Sequence, residues 1–165
     1  MDLAIGSRVH WEGEMVQTVA EALRGLPFME NMEPSHVDRL AAMAKEVGFE
    51  KDQVIFREGD TAKQFYIVLA GKVALELTTL KGPVRVQTVE EGHELGWSFL
   101  LSKTGRQFRA RALEQVRALV FDGPQIKKAC EEDPGFGYQL TKRVLGVVSA
   151  RLEATRLRFL DLYTA

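Results

Sequence analysis

Hydrophobic positions along this chain change their period twice, from helical to alternating and back to helical. From Glu14, residues Met15, Val16, Val19, Ala20, Leu23 and Leu26 recur at helical spacing, with Gly25 near the stop. Pro34 suits a first helical turn and opens a second small helix carrying Val37, Leu40, Ala41 and Ala44 on one side. From Val47 the period shortens. Val54-Ile55-Phe56 runs into the polar turn Arg57-Glu58-Gly59-Asp60, and Phe65-Tyr66-Ile67-Val68-Leu69 is apolar throughout, as in a strand buried on both faces. Lys72 to Leu77 and Val84 to Val89 alternate around the turn Lys81-Gly82-Pro83, and Val116 to Phe121 is a further strand closed by Asp122-Gly123-Pro124. Short strands broken by glycine turns predict an antiparallel sandwich or barrel, not a parallel sheet.

The chain finishes as helix. Asp133 can cap it and Pro134 fits its first turn. Leu140, Val144 and Val147 form one apolar row. Leu145, Val148, Leu152, Thr155, Phe159 and Leu162 form a second, spaced alternately three and four residues apart, as in the seam of a coiled coil. Two rows predict two partners, the barrel and a second helix. The other reading is one wide stripe packed on the same domain. Met1 to Gly13 carry no pattern and read as a flexible arm. A single domain is expected over 14–165, with its barrel at about 45–123 and its terminal helices at about 124–162.

Composition narrows the function. The 165 residues are 45% hydrophobic with a net charge of -1, so no basic excess exists to coat a phosphate backbone, and direct DNA binding by this chain is not expected. The lone Cys130 cannot form an internal disulfide, and His10, His36 and His93 show no ligand spacing, so neither a metal nor a cofactor is expected. No leader and no apolar run of spanning length appears, which points to a cytoplasmic protein without a membrane segment. No Ser/His/Asp, Cys/His or paired-carboxylate arrangement emerges, and His93-Glu94 stands alone, so enzymatic activity is not expected.

Candidate chemistry concentrates between Gly92 and Ala112. Gly92 and Gly96 bracket Glu94 and Leu95, an apolar turn runs from Trp97 to Leu101, and an arginine-rich run follows. A glycine entering one helical turn lets bare N–H groups converge on an anion, and an arginine can close over it with a planar fork. The same residues also fit a β-hairpin with a decorated loop. Arg109 and Arg111 alternate with Ala110 and Ala112, which places them on the outer, solvated face of a strand.

With these pieces in order, the chain from about Leu26 to Leu162 resembles a cyclic nucleotide-binding domain, most closely the effector domain of the catabolite activator protein and FNR class. The resemblance rests on Val54 to Asp60, Phe65 to Val73, Gly92-His93-Glu94-Leu95-Gly96, and Arg151-Leu152-Glu153-Ala154-Thr155. It implies a mainly β fold with flanking helices: an antiparallel double-stranded β-helix (jelly-roll) barrel, N-terminal helices and a long C-terminal dimerisation helix. It also implies a binding cassette of Phe-Gly-Glu and, further on, Arg-Ser/Thr-Ala, whose glutamate takes a ribose hydroxyl and whose arginine takes the cyclic phosphate. Counted from Gly92, the first three positions fall on Leu95, Gly96 and Trp97, and the arginine falls on Arg106, followed by Gln107 and Phe108. A shifted frame using Glu94-Leu95-Gly96 would put His93 where glycine is needed.

The expected ligand-binding residues are therefore Gly96, Trp97, Ser98, Arg106, Gln107 and, in the last helix, Thr155. Trp97 cannot accept a hydrogen bond, so the cassette is degraded at the glutamate. The resemblance implies a regulatory module that senses a small anion, a cyclic nucleotide such as cyclic AMP by default, and signals through its last helix as a homodimer. The alternative is a ligand-independent dimerisation module with a defunct pocket. The sequence stops at Ala165 without the helix-turn-helix that transcription factors of this class carry, which fits a stand-alone sensor and a shortened chain equally.

Overall fold

The computed structural model describes residues 18–101 and 105–164. The expected arm over 1–13 and the first turn of the expected first helix lie outside the described residues. The chain divides into two compact units, Met1–Lys127 and Lys128–Ala165.

In the first unit, α1 (Val19–Arg24) begins at a capping box. The Thr18 hydroxyl accepts from the Glu21 amide, while the Glu21 carboxylate accepts from the Thr18 amide, which satisfies two amides a helix start would otherwise leave bare. A short 3-10 turn (Pro27–Met29) leads to α2 (Pro34–Met43). Eight strands follow: β1 (Ala44–Phe49), β2 (Val54–Phe56), β3 (Gln64–Ala70), β4 (Val73–Thr79), β5 (Gly82–Val89), β6 (Glu94–Leu95), β7 (Arg109–Ala112) and β8 (Val116–Asp122). They form two antiparallel four-stranded sheets, ordered β1-β8-β3-β6 and β2-β7-β4-β5. Apart from the β4–β5 hairpin, successive strands cross between the sheets, the jelly-roll arrangement that the resemblance implied.

The core lies between the two sheets. Tyr66 and Val68 of β3, Val73 and Leu75 of β4, Leu95 of β6, Ala110 and Ala112 of β7, and Val116 and Ala118 of β8 fill it. The unbroken apolar run of β3 has the cause read from it, because its other face is buried too. Phe65 and Ile67 are fully buried, and the Phe65 ring packs 5.7 Å from Phe28, 5.5 Å from Phe99 and 5.7 Å from Phe121 between centroids.

One local expectation changes. The first strand starts at Ala44 rather than near Val47, because Ala44 pairs with Phe121 at the end of the β1–β8 ladder. The strands β7 and β8, close in sequence, lie in different sheets, β7 pairing with β4 and β8 with β1 and β3. Glu94-Leu95 forms a short strand opposite Ile67 and Tyr66. Such pairings depend on residues far away in sequence, which a local pattern does not contain.

After β8, the Asp122 carboxylate caps α3 (Gly123–Glu132) by accepting from the Gln125 amide. The second unit holds the end of α3 and α4 (Pro134–Thr164), which Asp133 caps as expected, accepting from the Phe136 amide at 3.0 Å. The two rows of α4 separate by exposure. Leu140 and Val144 are buried, whereas Leu145, Leu152 and Phe159 are 65%, 61% and 58% exposed. Among the described residues, no helix is long and apolar enough to cross a membrane.

Candidate functional site

Arg106 sits at the entrance to β7, and the turn Arg57-Glu58-Gly59-Asp60 holds its backbone on both sides. Its amide donates to the Asp60 carbonyl at 2.8 Å, and its carbonyl accepts from the Gly59 amide at 2.9 Å. The Asp60 carboxylate in turn accepts from the Arg57 amide, which fixes the turn itself. Gly105 permits this approach, since a Cβ there would lie 2.8 Å from the Gly59 carbonyl oxygen. The polar turn after β2, which marked the fold in the sequence, is thus the clamp on the backbone of Arg106.

The Arg106 side chain enters the protein and is 4% exposed. Nη1 donates to the Gly96 carbonyl at 2.9 Å and Nη2 donates to the Gln64 carbonyl. The guanidinium carbon stands 4.2 Å from the centroid of the Phe56 ring. Gly96 allows the contact twice over: its φ is +86°, and a Cβ there would lie 2.6 Å from Nη1. Nε is buried with no hydrogen-bond partner. Among the described residues, no carboxylate comes within ion-pair distance of this guanidinium. Burial draws its pKa below the ordinary arginine value, an effect that Tyr66 and Asp60 offset only in part. A buried cation carries a desolvation penalty of several kcal/mol, and an anion on the open edge of the guanidinium would relieve it.

The other expected site residues differ in burial. Gly96 is the left-handed residue that starts the 3-10 turn Trp97–Leu100; Ser98 is buried there and Trp97 half-buried. The first amides of such a turn have no carbonyl partner within it. Gln107 turns outward, exposed, and its amide nitrogen donates to the Gly105 carbonyl at 3.2 Å. Thr155 lies in α4, exposed, with its hydroxyl donating to the Arg151 carbonyl. Glu94 pairs with Ile67 while Leu95 pairs with Tyr66, and Leu95 and Tyr66 point into the core. Side chains alternate along a strand, so the Glu94 carboxylate belongs to the opposite face.

One expectation fails. Arg109 and Arg111 do occupy the outer face of β7, but they are half-buried and paired. Both close on Glu76 of β4, which is only 3% exposed. Arg109 Nη2 lies 2.8 Å and Arg111 Nη2 2.7 Å from its carboxylate oxygens, and Arg111 Nη1 also reaches Asp52 at 2.7 Å. The Arg111 guanidinium above all, with Arg109, holds the Glu76 carboxyl below the usual carboxylate range against the opposing effect of burial. Among the described residues, no group of three or more His, Cys, Asp or Glu is placed to hold a metal ion.

Residues 46–133, more than half of the chain, match the sequence profile of the family described as Cyclic nucleotide-binding domain. The chain belongs to that family. Its similarity to the Acetyltransferase Pat of Mycolicibacterium smegmatis is 30% identity over 109 residues, covering 66% of this chain and 33% of that protein. The CRP-like cAMP-activated global transcriptional regulator of Mycobacterium tuberculosis is 23% identical over 143 residues, covering 86% of this chain and 62% of the regulator. A crystal structure of a cyclic nucleotide-binding domain from Methylobacillus flagellatus superposes with a TM-score of 0.76 over 87% of this chain and 82% of that one, at 18% identity, and so shares the fold. The chain therefore spans a third of the acetyltransferase and under two thirds of the regulator.

Proposed function

We propose that this cyclic nucleotide-binding domain is a non-enzymatic regulatory module that binds a small anion, a cyclic nucleotide by default, with Arg106 as its charge partner. One observation carries the reading: a guanidinium buried to 4% exposure, with an unpartnered Nε and no carboxylate beside it among the described residues. The first amides of the turn at Trp97 and Ser98 would add donors. Calorimetric titration with cyclic AMP, cyclic GMP and cyclic dinucleotides tests it. Binding to the wild type that is lost in Arg106→Ala supports the reading; an Arg106→Ala variant that binds as the wild type does overturns it.

Transmission through α4 in a homodimer belongs to the same proposal. It is supported by the exposed row Leu145, Leu152 and Phe159, spaced as a coiled-coil seam. Leu152→Glu would then give monomers by light scattering, since a buried unpaired charge costs several kcal/mol. A wild type that is monomeric at tens of micromolar, or thereabouts, rules the dimer out. A cytoplasmic setting, no bound cofactor and no DNA contact by these residues go with the reading.

A ligand-independent dimerisation module is the second reading. It is favoured by Trp97 at the glutamate position and by the two carbonyls that already engage Nη1 and Nη2 of Arg106.

A further inference from the structure

We infer that Gln64 and Tyr66 of β3 are ligand-binding residues of the same site and take a hydroxyl of the anion held by Arg106. The inference rests on the anion-binding reading above and specifies the ligand class, a hydroxyl-bearing oxyanion. Gln64 and Tyr66 stand two residues apart on a strand, so their side chains share one face, and the Tyr66 hydroxyl donates to Gln64 Oε1 at 2.7 Å. That face is the interior one, where Tyr66 is 5% exposed among apolar neighbours.

The pair is joined to Arg106 in two ways. The Gln64 carbonyl accepts from Nη2, and the Phe56 ring that lies against the guanidinium also packs 6.2 Å from the Tyr66 ring. Nη1 and Nη2 each hold one carbonyl, which leaves the guanidinium edge of Nε and the second Nη2 proton for a side-on oxyanion.

Polar groups placed in an apolar interior carry a desolvation penalty that their mutual bond only partly repays. Here the bond engages the tyrosine proton and one lone pair of the amide oxygen. The tyrosine oxygen remains an acceptor. The Gln64 amide nitrogen meets no acceptor among the described residues. Gln64 is half-buried, so the donor is not sealed off. An acceptor beside a neutral donor fits a hydroxyl, which both donates and accepts. A second charge would find no partner there.

The test uses the whole chain, calorimetric titration, and cyclic AMP against its 2′-deoxy analogue as probes. The wild type should bind cyclic AMP about fivefold to tenfold more tightly than the analogue, the worth of one hydrogen bond. Tyr66→Phe keeps the ring that packs on Phe49 and Phe56, and Gln64→Met keeps the side-chain length; thermal unfolding confirms that both fold. Each should bind cyclic AMP as weakly as the wild type binds the analogue, with the preference erased. A wild type that binds both probes equally, or variants that keep the preference, overturn the role of the pair while leaving Arg106 as the anion site. Variants that weaken both probes by the same factor overturn it too, because a purely structural residue would act that way. If neither probe binds the wild type, this inference falls, and the anion-binding reading falls too when cyclic GMP and cyclic dinucleotides also fail to bind.

Discussion

Arg106 and the pair Arg109–Arg111 lie within six residues of each other and are compensated in opposite ways. On the outer face of β7, two cations close on Glu76 and Asp52, so charge is balanced and each fork has a carboxylate. Inside, Arg106 has two backbone carbonyls and an aromatic face, which satisfy donors but supply no negative charge. A balanced cluster ties strands together and asks for nothing further. An unbalanced cation held in place by a built turn is stable only because the surrounding fold carries its cost, and sites for ligands are found where that is so. Under the proposed function, the contrast gives stability to one group and binding to the other.

The largest effect should come from removing the carboxylate of the balanced cluster. Glu76→Leu leaves two half-buried cations without their common partner and should lower unfolding free energy by about 3 kcal/mol in urea denaturation. Cyclic nucleotide affinity of the folded variant should not change. Arg106→Ala should invert this pattern, with affinity falling by one to two decades, or about 1.5–3 kcal/mol, and a smaller loss of stability than in Glu76→Leu. Equal destabilisation by both substitutions would erase the distinction.

Trp97→Glu sharpens the binding side. A carboxylate at that position should accept a ligand hydroxyl and strengthen cyclic nucleotide binding about tenfold by calorimetry, or about 1.4 kcal/mol. No gain would favour the ligand-independent reading. With Trp11 replaced by Phe and Trp97 kept, Trp97 emission should shift on titration.

The smallest effect is on pH dependence. The folded-state pKa of Glu76 lies below its ordinary value, chiefly through Arg111 and then Arg109. Its contribution to stability is therefore fully present above the ordinary carboxylate range and is lost as pH falls through the depressed value. Urea unfolding from pH 7 down to pH 3, or thereabouts, should show the wild type losing more stability than Glu76→Gln. Parallel curves would mean that the cluster contributes little.

Much of this was legible in the chain. Period-two alternation and the apolar run of β3 gave the barrel, because a strand's neighbours on both faces dictate its side chains directly. Asp133 and Pro134 gave the start of α4, because capping is a local hydrogen-bond requirement. The ungapped count to Arg106 found the one buried arginine of the segment. The same alternation misread Arg109 and Arg111. It assigns residues to an outer face but does not say whether that face is wet, and Glu76 reaches them from 33 and 35 residues away only through the β4–β7 pairing. The Gln64–Tyr66 pair was hidden inside an apolar run. A tyrosine there reads as core until its hydroxyl has a partner.

The sequence by itself determined which residues could be buried, where strands and helices start, and that an arginine follows a glycine-bounded turn. These are properties of neighbours along the chain and of single side chains. Tertiary structure decided which charges are compensated. Whether a cation meets a carboxylate, as at Arg111, or only carbonyls and a ring, as at Arg106, is set by which strand lies beside it and in what register. Electrostatic compensation falls off steeply with distance and depends on burial, and both are fixed only when strands remote in sequence pair.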